Sequence, residues 1–121
     1  MRRILIVGIL SCLAAFGFAQ EKKVEKGIAS FYSGYKYVAN YPERFNPDSM
    51  TAAHKSLPFG SIIRVENVVN GKSVNVRVNN RGPFIKKRIV DLTPAAFKKI
   101  APLKKGIVKV TLEVVSLGKK K

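Results

Sequence analysis

Few side chains in this 121-residue chain can move a proton near neutral pH, and three of them stand in patterned surroundings. Glu43 lies in Pro42-Glu43-Arg44-Phe45-Asn46, His54 in Thr51-Ala52-Ala53-His54, and Asp91 in Arg88-Ile89-Val90-Asp91-Leu92. A carboxyl group placed against a leaving oxygen can serve as general acid and, once ionised, as general base. Two amides accompany these groups. Asn46 and Asn80 transfer no proton at neutral pH, but each can hydrogen-bond a hydroxyl or orient a neighbouring acid. Arg81, ahead of a Gly82-Pro83 turn, can hold a carboxylate or brace the turn through carbonyls.

Each residue also has a plainer use. Asp91 stands just ahead of Thr93-Pro94, where an acid is favoured by the dipole of a following helix. His54 is the only histidine, and a lone histidine is commonly a satisfied structural residue. Glu43 on a polar loop can be simply solvated, and Asn79-Asn80 can end a strand, because asparagine tolerates turn geometry. Tyr32, Tyr35, Tyr37 and Tyr41 can stack on sugar rings, although the alternation around Tyr32 fits a core position as well. The chain has neither a Cys/His cluster of metal-ligand spacing nor a glycine-rich phosphate loop, so neither metal nor cofactor is expected.

The elements that must position these groups read mostly as short strands. "GIASFY", from Gly27 to Tyr32, is β-like, and residues 33–50, rich in Gly, Asn, Pro, Ser and Tyr, read as a long loop. "SIIRVENV" and "SVNVRVN" flank Asn70-Gly71, a hairpin signal that pairs them antiparallel. "RIVDL" follows the Arg81-Gly82-Pro83 turn. Thr93 as N-cap and Pro94 at the first helical position predict a helix of about two turns reaching about Ile100. "GIVKVTLEVVSL" closes the chain with period-two alternation. Six or so strands with one short helix in about 100 residues predict a small closed β-barrel, which also disposes of exposed edges.

Residues 1–19 read as a secretory signal peptide, with Arg2 and Arg3 before an apolar run and a small-x-small site at Gly17-Phe18-Ala19. The expected organisation is therefore a leader at 1–19, a charged lead-in at 20–26, a barrel at 27–116 and a basic tail at 117–121. Export to the periplasm or the extracellular space follows, with no transmembrane segment in the mature chain. Cys12, the only cysteine, gives a faint lipobox with Ile9-Leu10-Ser11, so a membrane-anchored lipoprotein is the alternative. Without Arg2 and Arg3, the remaining 21 basic residues exceed the 7 acidic ones by 14. Such a charge attracts polyanions. No helix-turn-helix, zinc or RNP-type signature is present, so nucleic acid is not the expected partner, and cell-wall polymer or anionic lipid remains.

Four segments, "GIASFY", "TAAHKSLPFG", "NGKSVNVRVNNRGPF" and "RIVDLTPAAF", occur in the order and spacing of the rare lipoprotein A (RlpA-like) family, which the chain resembles over about Gly27 to Val115. The resemblance implies a mainly β fold, a six-stranded double-psi β-barrel with one or two short helices, related to expansins. It further implies a peptidoglycan lytic transglycosylase, a monomer working on glycan strands, with cell-division proteins as candidate partners. Asp91, Glu43 and His54 fall on the positions expected to be catalytic. Asn80, Arg81, Phe84, Tyr32 and Asn46 fall on substrate-binding ones. Two family aspartates are amides here: the family's G-E-x-F-D ends in Asn46, and its N-D-R-G-P-F carries Asn80. Those replacements favour the alternative of an expansin-like module that binds the wall without cutting it.

Overall fold

The computed structural model describes residues 24–32 and 43–119. The expected leader with Cys12, the tyrosines at 35, 37 and 41, and Lys120 and Lys121 lie outside the described residues. Six strands form a closed barrel: β1 (Val24–Phe31), β2 (Thr51–Ala53), β3 (Ile62–Asn67), β4 (Ser73–Asn80), β5 (Arg88–Leu92) and β6 (Ile107–Ser116), in the order β1-β5-β2-β4-β3-β6. Two of the pairs, β1 with β5 and β2 with β4, are parallel, and the other four are antiparallel. This is the mainly β barrel that the strand pattern predicts.

Alternation decides what faces inward. Ala29 on β1, Val76 and Val78 on β4, Val90 and Leu92 on β5, and Val110 and Leu112 on β6 are buried, each separated from the next on its strand by an outward residue. Helix α1 (Pro94–Lys98) adds the fully buried Phe97, whose ring lies 5.0 Å from that of Phe31. The Thr93 side chain caps it by accepting from the Ala96 N–H. The helix ends before Ile100 because Pro102 follows closely, and the residue before a proline is driven out of the helical region. A 3-10 turn over Leu103–Lys105 leads into β6.

Asn70-Gly71 does turn β3 into β4, with Gly71 at φ 77°, a left-handed conformation that glycine adopts at no steric cost. Strand β1 begins at Val24, inside the segment expected as a lead-in, since Val24, Glu25 and Lys26 pair with Glu113, Leu112 and Thr111 of β6. Polar side chains hid that extension, because their backbone joins the ladder while the side chains stay exposed.

Candidate functional site

Along β1 and β5, Ala29, Val90 and Leu92 point into the core, so Ser30 and Asp91 point outward. These two are register partners in the parallel pair, and the Ser30 hydroxyl donates to Asp91 Oδ1. Arg88 Nη2 donates to the same oxygen at 2.7 Å, while Arg88 Nε is buried without a partner among the described residues. Both contacts fall on Oδ1, so Oδ2 carries no hydrogen bond among the described residues.

Tyr32 follows β1, its backbone N–H donating to the Leu92 carbonyl at 3.0 Å. Thr51 and Asn80 lie close enough to its hydroxyl to oppose the shift, but burial pushes the phenol up to about 12, with the Asp91 and Glu43 carboxylates adding to the effect. The phenol is therefore a neutral donor at any physiological pH. The Phe45 ring packs 4.9 Å from that of Tyr32, which places the segment from Glu43 onward against the barrel.

Glu43 arrives on that loop and is clasped by Arg77 of β4, with Nη1 to Oε1 at 2.6 Å and Nη2 to Oε2 at 2.7 Å. The Arg77 hydrogen bonds, opposed by burial and aided by the charge of Arg77 and a bond from Asn79, hold the carboxyl below the usual carboxylate range. Thr51 is the register partner of Arg77 across β2 and β4, so the Tyr32 cluster and the Glu43 clasp adjoin. Asp91, Asn80, Tyr32 and Glu43 thus come together on one outer wall of the barrel.

The other expected site residues have different surroundings. His54 is 4% exposed, and its Nδ1 accepts from the backbone N–H groups of Ser56 and Leu57, both at 3.1 Å. The ring proton is therefore on Nε2 and goes to Glu25 Oε1 at 2.7 Å. Arg81 donates to the carbonyls of His54 at 3.1 Å and Leu57 at 2.7 Å, and its guanidinium stacks 4.2 Å over Phe59. That bracing takes the guanidinium partly out of water, which lowers its pKa. Asn46 closes a turn, its Oδ1 accepting from Asp48 N–H at 2.9 Å. Phe84 is 80% exposed on the turn between β4 and β5.

Ser30, Thr51, Arg77, Asn79 and Arg88 are contributors that sequence reasoning missed. Ser30 was findable in principle, since it lies on the outward phase of its strand, but Arg88 shares the phase of Val90 and Leu92, and only the register shift beside Ile89, which alternation does not reveal, brings it to Asp91. Arg77 and Asn79 alternate with the apolar Val76 and Val78, and nothing in that alternation shows that a distant loop delivers a carboxylate to them. Among the described residues no group of three or more acidic, histidine or cysteine side chains is placed to hold a metal ion.

The barrel closure, its two parallel pairs and the outward acid define a double-psi β-barrel of the RlpA and expansin kind. Residues 24–112 match the family described as "Lytic transglycolase", and the chain belongs to that family. It is 48% identical over 94 residues to a probable endolytic peptidoglycan transglycosylase RlpA of Nostoc sp., covering 74% of this chain and 25% of that protein. It is 44% identical over 95 residues to the endolytic peptidoglycan transglycosylase RlpA of Campylobacter jejuni, covering 76% of this chain and 34% of that one. The chain therefore spans between a quarter and about a third of the length of these relatives. Among solved structures, the apo expansin of Clavibacter michiganensis superposes with a TM-score of 0.63 at 22% identity, over 81% of this chain and 53% of that one. A mutant of that expansin in complex with cellohexaose gives 0.62 at 20% identity, over 82% and 54%.

Proposed function

We propose that the barrel is a peptidoglycan lytic transglycosylase that cuts glycan strands and leaves 1,6-anhydromuramoyl ends. The observation that carries the reading is the meeting of Asp91, Asn80, Tyr32 and Glu43 on one outward wall. In the proposed reaction, the glycosidic oxygen takes a proton through the Asp91 carboxyl as the bond from that oxygen to the muramoyl C1 breaks. The C6 hydroxyl of the same sugar attacks C1, and its proton passes to the Asp91 carboxylate, which restores the starting state. No water is consumed, so a second carboxylate for hydrolysis is not required.

Glu43, held ionised by Arg77, faces the positive charge that develops on the sugar ring. Tyr32 and Asn80 hydrogen-bond sugar hydroxyls, with Phe84 as an exposed stacking face. His54 and Arg81 act as positioning residues, fixing the loop after β2 against the end of β4. Asn46 holds the turn through which Glu43 is presented.

Incubation of the purified chain with intact and peptide-stripped sacculi, followed by mass spectrometry for anhydro-sugar products, tests this. Product formation that vanishes in Asp91→Asn with the fold intact is the expected result; undiminished product in that variant removes Asp91 from the reaction. The second reading, a wall-binding module that does not cut, is favoured by the amides at 46 and 80. Its signature is binding without product on either substrate. Export by the segment 1–19 belongs to the same proposal, and an exported chain beginning at Gln20 or Glu21 is expected; a lipid mass on Cys12 would show the anchored alternative. Glycan strands are the proposed partner of a monomer, with cell-division proteins as further candidates.

A further inference from the structure

The turn that joins β3 to β4 needs Asn70-Gly71 and no more, yet it also carries Val68 and Val69, which are 51% and 85% exposed. The tip is stiff. Asn67 Oδ1 accepts from the Val69 N–H and Asn70 Oδ1 from the Lys72 N–H, both at 2.9 Å. Both asparagines also donate through Nδ2 to the Ile100 carbonyl, at 2.9 and 3.1 Å, which ties the hairpin tip to the segment between α1 and β6. Ile107, 53% exposed, starts β6 beside it, and the Val68 N–H donates to the Lys109 carbonyl at 3.1 Å. Between tip and segment lies a hollow of about 360 Å3, lined by Val69, Pro102, Lys105, Ile107 and Lys109 among others. This pole of the barrel therefore shows water an aliphatic cluster in a fixed arrangement, the kind of surface that marks a contact.

Its charge is of one sign. Lys72 sits on the tip, Lys104 and Lys105 on the 3-10 turn and Lys109 on β6, all exposed and none with an ion-pair partner among the described residues. The neighbouring acids are paired or distant. Between Glu66 and Glu113 the chain has a single acid, Asp91, which Arg88 holds at 2.7 Å. Glu66, two residues before Val68, is paired with Arg64 at 3.0 Å. Glu113 lies opposite Arg64, four residues beyond Lys109 on β6 and so about 13 Å away at about 3.3 Å per strand residue. Asp48 lies by the start of α1, where the Ala95 N–H donates to the Pro47 carbonyl, and not at the end that leads to Ile100.

We propose that this pole docks on an anionic phospholipid surface, with Val68 and Val69 entering the headgroup layer and the four lysines lying over the phosphates. A bilayer interface takes both features, since aliphatic side chains leave water there while cations meet anionic head groups. A hydrated wall polymer answers only the charge. The patch is aliphatic and has no aromatic ring to stack on a sugar, so its valines would stay in water. Docking of this kind is independent of the reaction at Asp91, and it would hold the barrel at a membrane face.

Sedimentation of the purified chain with mixed phosphatidylglycerol and phosphatidylcholine vesicles, against vesicles of phosphatidylcholine alone, tests the assignment. The expected result is binding that requires the anionic lipid. A lysine over an anionic leaflet strengthens partitioning by about fivefold, so Lys104→Gln with Lys105→Gln should weaken it about twentyfold. Val69→Trp supplies a probe at the tip, because the chain has no tryptophan of its own. Its emission should shift to the blue on the anionic vesicles and be quenched by lipids brominated high in their acyl chains. Unchanged emission on vesicles that carry the protein down would put the contact elsewhere and overturn the docking surface. Undiminished sedimentation of the lysine variant, equal sedimentation with phosphatidylcholine alone, or none with the anionic vesicles would overturn it too. A lysine variant that sediments normally with vesicles but is lost from sacculi would assign the pole to the wall polymer instead. Asp91→Asn should sediment as the native chain does, so a failed cleavage assay leaves the docking surface standing and a failed vesicle assay leaves the cleavage reading standing.

Discussion

Environment separates the two ionisable groups that flank Asp91. Tyr32 is pushed up to about 12 chiefly by burial, whereas Glu43 is held down chiefly by Arg77, so one stays a neutral donor and the other an anion. The shift on Tyr32 has a consequence for stability. An unfolded tyrosine ionises near pH 10, so between about 10 and 12 the unfolded chain loses this proton while the folded chain keeps it. Its contribution is therefore whole below about pH 10 and is lost as pH rises toward 12. Denaturant midpoints measured across that range should fall more steeply for the native chain than for Tyr32→Phe; parallel slopes would show that the phenol is not held in this way. At this scale the sequence was legible where a candidate lay on a strand, as with Asp91 and Asn80. Partners that come from elsewhere in the chain leave no local mark: both ring nitrogens of His54 are engaged by Ser56, Leu57 and Glu25, while Arg81 takes the carbonyl-bracing role that the sequence also allowed.

Among the elements, the link between loop and helix decides whether the site assembles. Thr93 carries two bonds from one buried hydroxyl: Oγ1 donates to the Ser49 carbonyl at 2.6 Å and accepts from Ala96 N–H at 3.2 Å. The first fixes the segment after Glu43, and the second starts α1, which buries Phe97. Thr93→Ala should cost about 1–2 kcal/mol, the usual loss for a helix cap plus an orphaned carbonyl, and lower the melting midpoint by several degrees. Activity on glycan should fall further than stability does, because the loop bearing Glu43 loses its tether. A drop in midpoint with full activity would show that the tether is irrelevant to the site. The cap and Pro94 were visible in the sequence, as was the Asn70-Gly71 hairpin, because each is a local rule. The closing of β1 on β5 and of β2 on β4 was not, since parallel pairing across more than 20 residues leaves no local mark; only the family resemblance supplied it.

For the molecule as a whole, charge is distributed in a way that composition does not reveal. The chain carries a formal charge of +16, yet its described acids are largely spent internally: Glu25 on His54, Glu43 on Arg77, Glu66 on Arg64 and Asp91 on Arg88. Lys26, Lys87 and Lys109, with Lys104 and Lys105 of the turn before β6, are exposed to solvent. A field of that kind concentrates a polyanion near the surface, and it is screened over about 10 Å at 0.1 M salt and about 3 Å at 1 M. Retention on sacculi should therefore weaken steeply between about 0.05 and 0.5 M sodium chloride, and the slope should be shallower in a Lys26→Gln, Lys109→Gln variant. Cleavage at saturating substrate should respond far less if the proposed reaction holds, because Asp91 and Tyr32 would then act on the sugar at contact distance, where bulk ions do not intervene. Retention independent of salt would mean that stacking and hydrogen bonds, through groups such as Phe84 and Asn80, hold the strand, and that the excess of lysine plays no part in finding it.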